Sequence, residues 1–305
     1  MKVARCVEAY VERKRASGFI YTATAKILMR FANFVRNIDI SAVTERDVEF
    51  FLSRNAILNN TRQRYISCLT KFFIYWFARR QIKQIPSARP RPTTKSTFFP
   101  YIYTRSEIRR LLDAVVPCLR FPRCSLDAET VKAILLLIYG TGMRIGDVLS
   151  LLDSDVDLKN KTIRIQSLHP QLTRVIPIGA DVASLLARYL ANARRAKFGS
   201  GKSLFLTVKG KPIRYGIILN SFQHLRRFTG ISRPNSSYQP RLHDLRHSFA
   251  VHSIASWTPY AVPTEKMLSL LAAYMGDVTM NGVERYLELS PSSYRSQLAR
   301  LGKQS

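Results

Sequence analysis

A chain of 305 residues that is 46% apolar and 22% charged carries enough apolar content for core in two domains and too much for a disordered chain. Its 48 Lys and Arg against 20 Asp and Glu leave a formal charge of +28, a field that attracts polyanions and points to nucleic acid as partner. Residues 1–100 hold 19 basic and 6 acidic side chains and residues 101–305 hold 29 and 14, so two basic surfaces gripping one polyanion fit better than a basic tail on a neutral body.

The longest apolar run, "AILLLIYG" near residue 133, is far too short for a bilayer crossing. The start "MKVARCVEAYVERKR" lacks the apolar block of a signal peptide. A soluble cytoplasmic protein, nucleoid-associated in a bacterium, is therefore expected, with no membrane partner. Cys6, Cys68, Cys118 and Cys124 have unrelated spacings and no histidine cluster beside them, which fits reduced thiols better than a disulfide framework or a zinc site.

Along the chain, residues 1–85 read as helices. Apolar spacing is helical in "CVEAYVERKRASG", "TATAKILMRFANFVRN", "TERDVEFFLSRN" and "NNTRQRYISCLTKFFIYWFARRQ", with Thr22, Thr44 and Asn60 as start signals and Gly18 as a stop. In the last of these, Arg62, Arg64 and Lys71 are candidate DNA-binding residues on exposed spacing near a helix start, while Tyr65, Phe72, Phe73 and Trp76 read as core. Residues 86–100, within "IPSARPRPTTKSTFFP", are rich in proline, hold no acid and read as a linker.

Residues 101–305 form the second domain. "TRSEIRRLLDAV" and "LDAETVKAILLLIYG" read as helices, the second stopping at Gly140. "KTIRIQ", "TRVIPI" and "SLFLTVKGKPI" read as β-strands, and helices return from Gly216 to the end. The fold class is mainly α with a small β-sheet or hairpin in the second domain, a two-domain clamp for DNA.

The chemistry is carried by the second domain. In "YGTGMRIGDVLSLL", Arg144 opens a helix where its planar fork and the helix dipole both favour a phosphate, and Asp147 one turn on could hold that guanidinium or cap the helix. In "RLHDLRHSFAVH", His243 and Arg246 at i, i+3 share a face and can reach one small ligand, with Leu242, Leu245, Phe249 and Ala250 on the apolar side. Donors and a proton-transfer group aimed together suit charge developing on phosphorus. His247 reads as packing inside. "LAAYMGDVTMNGVERYLELSP" closes a helix near Gly276 and opens another carrying Tyr286.

In this order, "TGMRIGDVLSL", "LHDLRHSFA" and "YMGDVTMNGVERYL" resemble the arginine box, the His-x-x-Arg box and the tyrosine box of the tyrosine recombinase (phage integrase) family. "TRVIPI" resembles the end of its β-hairpin, and the first domain resembles its core-binding domain, ahead of a mixed α+β catalytic domain. The resemblance implies that Tyr286 attacks a DNA phosphodiester, leaving a 3′-phosphotyrosyl link and a 5′-hydroxyl, with Arg144, His243 and Arg246 acting on the phosphate. It implies no cofactor and no metal. It also implies a homo-oligomer on double-stranded DNA, a tetramer of two dimers, with "SSYRSQLARLGKQS" as a docking helix.

Two positions depart from the family. Asp277 stands where the family usually has a histidine or tryptophan, and "SLHPQL" stands where its hairpin carries a lysine general acid; Ser167 and Leu168 cannot replace it. His169 in that turn is the candidate replacement, with Lys159 and Lys161 within reach only under a different strand register. The implied activity is thus site-specific DNA strand transfer. The alternatives are a DNA-binding relative with weak or lost cleavage, and topoisomerase-like relaxation.

Overall fold

The computed structural model describes residues 1–18, 21–54, 59–88, 100–119, 125–166, 173–191, 203–234, 238–257, 263–276, 286–287 and 289, without the side chains of 59 and 60. Its Cα positions divide into two compact units, Met1–Thr97 and Phe98–Ser305.

The first unit is helical. α1 (Val3–Ala16) buries Val3, Cys6, Val7, Tyr10 and Val11, the i, i+3, i+4 stripe of an amphipathic helix, and ends at Gly18 in the left-handed region at φ 85°. α2 (Thr22–Phe34) begins one residue earlier than its start signal suggests: Tyr21, at φ 36°, is its N-cap, and Thr22 is already helical. α3 (Glu45–Arg54) has the expected start, because the Thr44 backbone N–H donates to Asp47 while the Asp47 backbone N–H donates back to Thr44 Oγ1. α4 (Asn59–Ala78) closes the unit, with Phe72, Phe73 and Trp76 buried and Tyr65 packed at the edge. Edge-to-face ring pairs join the helices, Tyr10 to Phe72 and Phe31 to Phe73. Ala88 and Ile85 pack against this core.

In the second unit, α5 (Arg105–Cys118) starts with a full capping box between Thr104 and Glu107. α6 (Ala128–Thr141) is buried on nearly every side and packs against α5, α7 (Ile145–Ser150), α8 (Ala180–Leu190) and the later helix Asp244–Trp257. α6 runs past Gly140 and stops at Gly142, whose φ of 62° supplies the left-handed cap. Gly140 serves packing instead: a Cβ there would lie 2.8 Å from Val182 of α8.

Between α7 and α8 lies a three-stranded antiparallel sheet in the order β1 (Val156–Asp157), β2 (Thr162–Ile165) and β3 (Arg174–Pro177). Ile163 pairs with Ile176 and Ile165 with Arg174, which puts Lys159 and Lys161 at the end of β2 away from Arg174. The passage "SLFLTVKGKPI" forms only isolated bridges, Leu152 with Ser203 and Leu206 with Pro212, because its residues turn at Gly210 before a ladder can extend. α9 (Tyr215–Phe228), α10 (Asp244–Trp257) and α11 (Thr264–Met275) complete the unit, and α11 ends on Gly276 at φ 68°. No helix among the described residues is long and apolar enough to cross a membrane.

Candidate active site

The site is built around the start of α10. Asp244 is 1% exposed; its carboxylate accepts from the backbone N–H of Arg241 at 2.9 Å and from the Arg241 guanidinium at 2.8 Å, which locks the turn carrying His243. His243 therefore sits in that turn, one residue ahead of the helix, rather than on the helix itself. Burial first, then the nearby charges of Arg246, Arg241 and Arg144, hold its imidazole below the ordinary range.

Arg246 is 2% exposed, and its Nη1 donates to the carbonyls of Gly142 at 2.6 Å and Met275 at 3.0 Å. These are the C-terminal ends of α6 and α11, where unpaired carbonyls and the helix dipole favour a cation. The Met275 carbonyl also accepts from Arg174 Nη2 at 3.2 Å. Arg144 is the N-cap of α7 and is half-buried. Asp147 accepts from Arg174 Nη2 at 3.3 Å, so this carboxylate ties α7 to the start of β3.

Tyr286 reaches this cluster from beyond α11. It is 4% exposed, packed with Ala250, Val251 and Ile254 of α10 and Met267, Leu271 and Met275 of α11. Its hydroxyl oxygen is 3.0 Å from His247 Nδ1, and the His247 ring lies edge-on to His243 with centroids 4.9 Å apart. His247 is thus half-buried, and on its inward side it meets the candidate nucleophile. Burial, followed by the neighbouring His243, pushes its pKa down to about 4, so the ring is neutral near pH 7.

The phage integrase family model matches residues 103–262, more than half of the chain, and spans both the Arg144 segment and the His243 turn. The chain belongs to the phage integrase family. Among similar proteins, the integrase/recombinase y4rB of Sinorhizobium fredii is 28% identical over 97% of this chain and 96% of its own length. The tyrosine recombinase XerC of Roseiflexus castenholzii is 28% identical over 81% of this chain and 80% of its own length. The Tn1549 transposon integrase, solved in complex with a circular intermediate DNA, shares the fold with a TM-score of 0.69, 17% identity and 99% coverage of both chains.

Other candidates in this integrase-family chain fare differently. Asp277, His169, Ser167 and Leu168, and the segment "SSYRSQLARLGKQS", lie outside the described residues. Tyr274 donates its hydroxyl to the Pro177 carbonyl at 2.9 Å, and burial pushes its pKa up to about 12. In the first unit Arg64 and Lys71 are exposed on α4, whereas Arg62 is not available to DNA: it is 5% exposed and paired with Glu49 at 2.7 Å. The reason is periodicity, since Arg62 precedes the buried Leu69 by seven residues and shares its stripe. Among the described residues, no cluster of His, Cys, Asp or Glu is arranged to hold a metal ion.

Arg174 was not singled out from the sequence, and the partner of His247 was not foreseen. Arg174 shares the strand face of the buried Ile176 while Val175 points out at 60% exposure, so strict alternation already put an arginine on the core side. His247 follows His243 by four residues, the spacing that stacks side chains on one helical face.

Proposed function

We propose that the protein cuts and rejoins DNA at specific sites through a covalent 3′-phosphotyrosyl intermediate. One observation carries this reading: Tyr286 Oη lies 3.0 Å from His247, whose ring packs on His243, so a tyrosine, the His-x-x-Arg box and its buried Arg246 share one cluster. In this reading Tyr286 attacks phosphorus while Arg144 and Arg246 offer charge and N–H donors to the non-bridging oxygens and His243 moves a proton at the phosphate. The phosphotyrosyl bond conserves the energy of the broken phosphodiester, so rejoining needs no energy cofactor.

Double-stranded DNA is the substrate. The charge of +28 supports this, as does the fold shared with an integrase solved on DNA. Exposed Arg64 and Lys71 would contact the backbone from the first unit. We infer that strand exchange takes place in a tetramer of two dimers holding two duplexes, which supplies the four strand ends that must be exchanged.

The test is covalent capture. The full chain is incubated with nicked suicide duplexes tiled across the junctions that flank its gene, then run on a denaturing gel. The expected result is a protein–DNA adduct with the wild type and none with Tyr286→Phe, although both bind the duplex. Binding without any adduct would instead identify a DNA-binding relative that has lost cleavage, and an adduct persisting in Tyr286→Phe would move the nucleophile elsewhere.

A further inference from the structure

Taking Tyr286 as the nucleophile of the reaction proposed above, we propose that His247 is the base that removes the Tyr286 proton during cleavage and returns it during rejoining. His247 Nδ1 is 3.0 Å from Tyr286 Oη, within the reach of direct proton transfer, and the two rings are tilted by 50° with centroids 5.6 Å apart. Tyr286 is 4% exposed, so bulk water has little access and an acceptor within the protein is required.

The contrast with Tyr274 sharpens the assignment. That hydroxyl points at a backbone carbonyl, which accepts a hydrogen bond but cannot take up a proton near neutral pH. Tyr286 points at an imidazole nitrogen, which can do both.

The Oη–H bond of Tyr286 breaks and its proton passes to Nδ1 of the neutral, Nε2-protonated imidazole. Oη bonds to phosphorus, the P–O5′ bond breaks, and the 5′ oxygen takes a proton from water, leaving hydroxide. In the reverse direction the 5′-hydroxyl attacks, its proton passes to hydroxide to reform water, and the His247 imidazolium protonates the departing phenolate.

The groups around His247 tune this exchange. His243, Arg241 and Arg246 disfavour the imidazolium, Asp244 favours it, and Tyr286 faces it from the segment beyond α11. A bound phosphodiester adds a negative charge to this cluster and raises the proton affinity of the imidazole. The base therefore strengthens when substrate is in place, while in the absence of DNA it stays neutral and merely holds the hydroxyl.

The experiment uses the full chain and the suicide duplexes named above, with His247→Gln as the variant. A glutamine oxygen still accepts a hydrogen bond from Tyr286 but takes no proton. We expect His247→Gln to fold and bind the duplex as the wild type does, yet to form adduct about 10²–10⁴-fold more slowly, the usual contribution of a general base. The wild-type rate should climb with pH as the imidazole deprotonates, and that rise should vanish in the variant.

A second arm replaces Tyr286 with a fluorinated tyrosine whose phenol ionises nearer neutrality. A nucleophile that is already ionised needs no base, so most of the His247→Gln defect should disappear. Adduct formation at the parental rate in His247→Gln, or a defect that fluorination leaves unchanged, overturns the role of His247 and leaves Tyr286 as the nucleophile. No adduct from the wild type overturns both.

Discussion

Arg62 in the first unit and Arg246 in the second are buried to almost the same degree, at 5% and 2% exposure, yet among the described residues the acceptors they meet differ in kind. Arg62 donates to the Glu49 carboxylate at 2.7 Å, whereas Arg246 donates to two main-chain carbonyls at 2.6 and 3.0 Å. A carboxylate satisfies a guanidinium and cancels its charge. A carbonyl dipole satisfies the donor and fixes its plane without cancelling anything. Burial alone therefore does not tell the two arginines apart; what each is held against does.

Substitution at the two positions should separate these roles. Arg246→Lys keeps a charge but loses the planar fork, and adduct formation should slow about a hundredfold, near 3 kcal/mol, in a single-turnover assay on suicide duplexes. If that variant instead cleaves normally but melts early, Arg246 is as structural as Arg62. Arg62→Met should do the converse. Losing a hydrogen bond to a charged partner costs about 1.5–3 kcal/mol of stability, read as a lower Tm, while the cleavage rate per folded molecule stays at the parental value.

Gly142 tests the acceptor side. Its carbonyl receives Arg246, its φ is 62°, and an added Cβ would run into the Phe249 ring. Gly142→Ala should cost about 1–2 kcal/mol from backbone strain alone, and the displaced ring should carry a cleavage defect with it. A variant that melts lower but cleaves normally would show that this carbonyl does not orient Arg246.

The imidazoles give a pH signature. His247 has its folded pKa lowered from 6.5 to about 4, and burial moves His243 and His252 in the same direction. Between those values the unfolded chain binds more protons than the folded one, so stability is full above about pH 6.5 and falls as pH drops toward 4. His247→Gln should flatten that decline in Tm measured against pH.

The smallest effect belongs to the exposed face of α4. Arg64→Ala combined with Lys71→Ala should lower the slope of log affinity against log salt by about 0.9 for each phosphate that the helix no longer neutralises, with no change in Tm. An unchanged slope would remove this helix from the DNA interface.

These contrasts also mark what can be read from the sequence. Helices with period-3.6 apolar stripes, such as α1, and those opened by a capping pair, such as Thr44 with Asp47, are legible because local chemistry decides them. Residues 203–213 read as a strand and do not form one, because apolar alternation is necessary for a ladder but not sufficient; they have no partner strand beyond single bridges. Arg62 departs from expectation because it lies seven residues before the buried Leu69 and shares its stripe, which outweighs its place near the helix start. The family resemblance is legible in three short boxes. That Arg246 is fixed by carbonyls from α6 and α11 is not, since those acceptors are main-chain atoms that every sequence carries.

One of those acceptors, the Met275 carbonyl, receives Arg246 at 3.0 Å and Arg174 at 3.2 Å. An oxygen shared by two donors makes their energetics inseparable. Removing either arginine leaves the other with an undivided acceptor, so the two losses cannot sum, and a double-mutant cycle over Arg174 and Arg246 should return a coupling free energy of about 0.5–3 kcal/mol. The second strand of the hairpin and the helix of the His-x-x-Arg box thus answer to one another through a single main-chain atom.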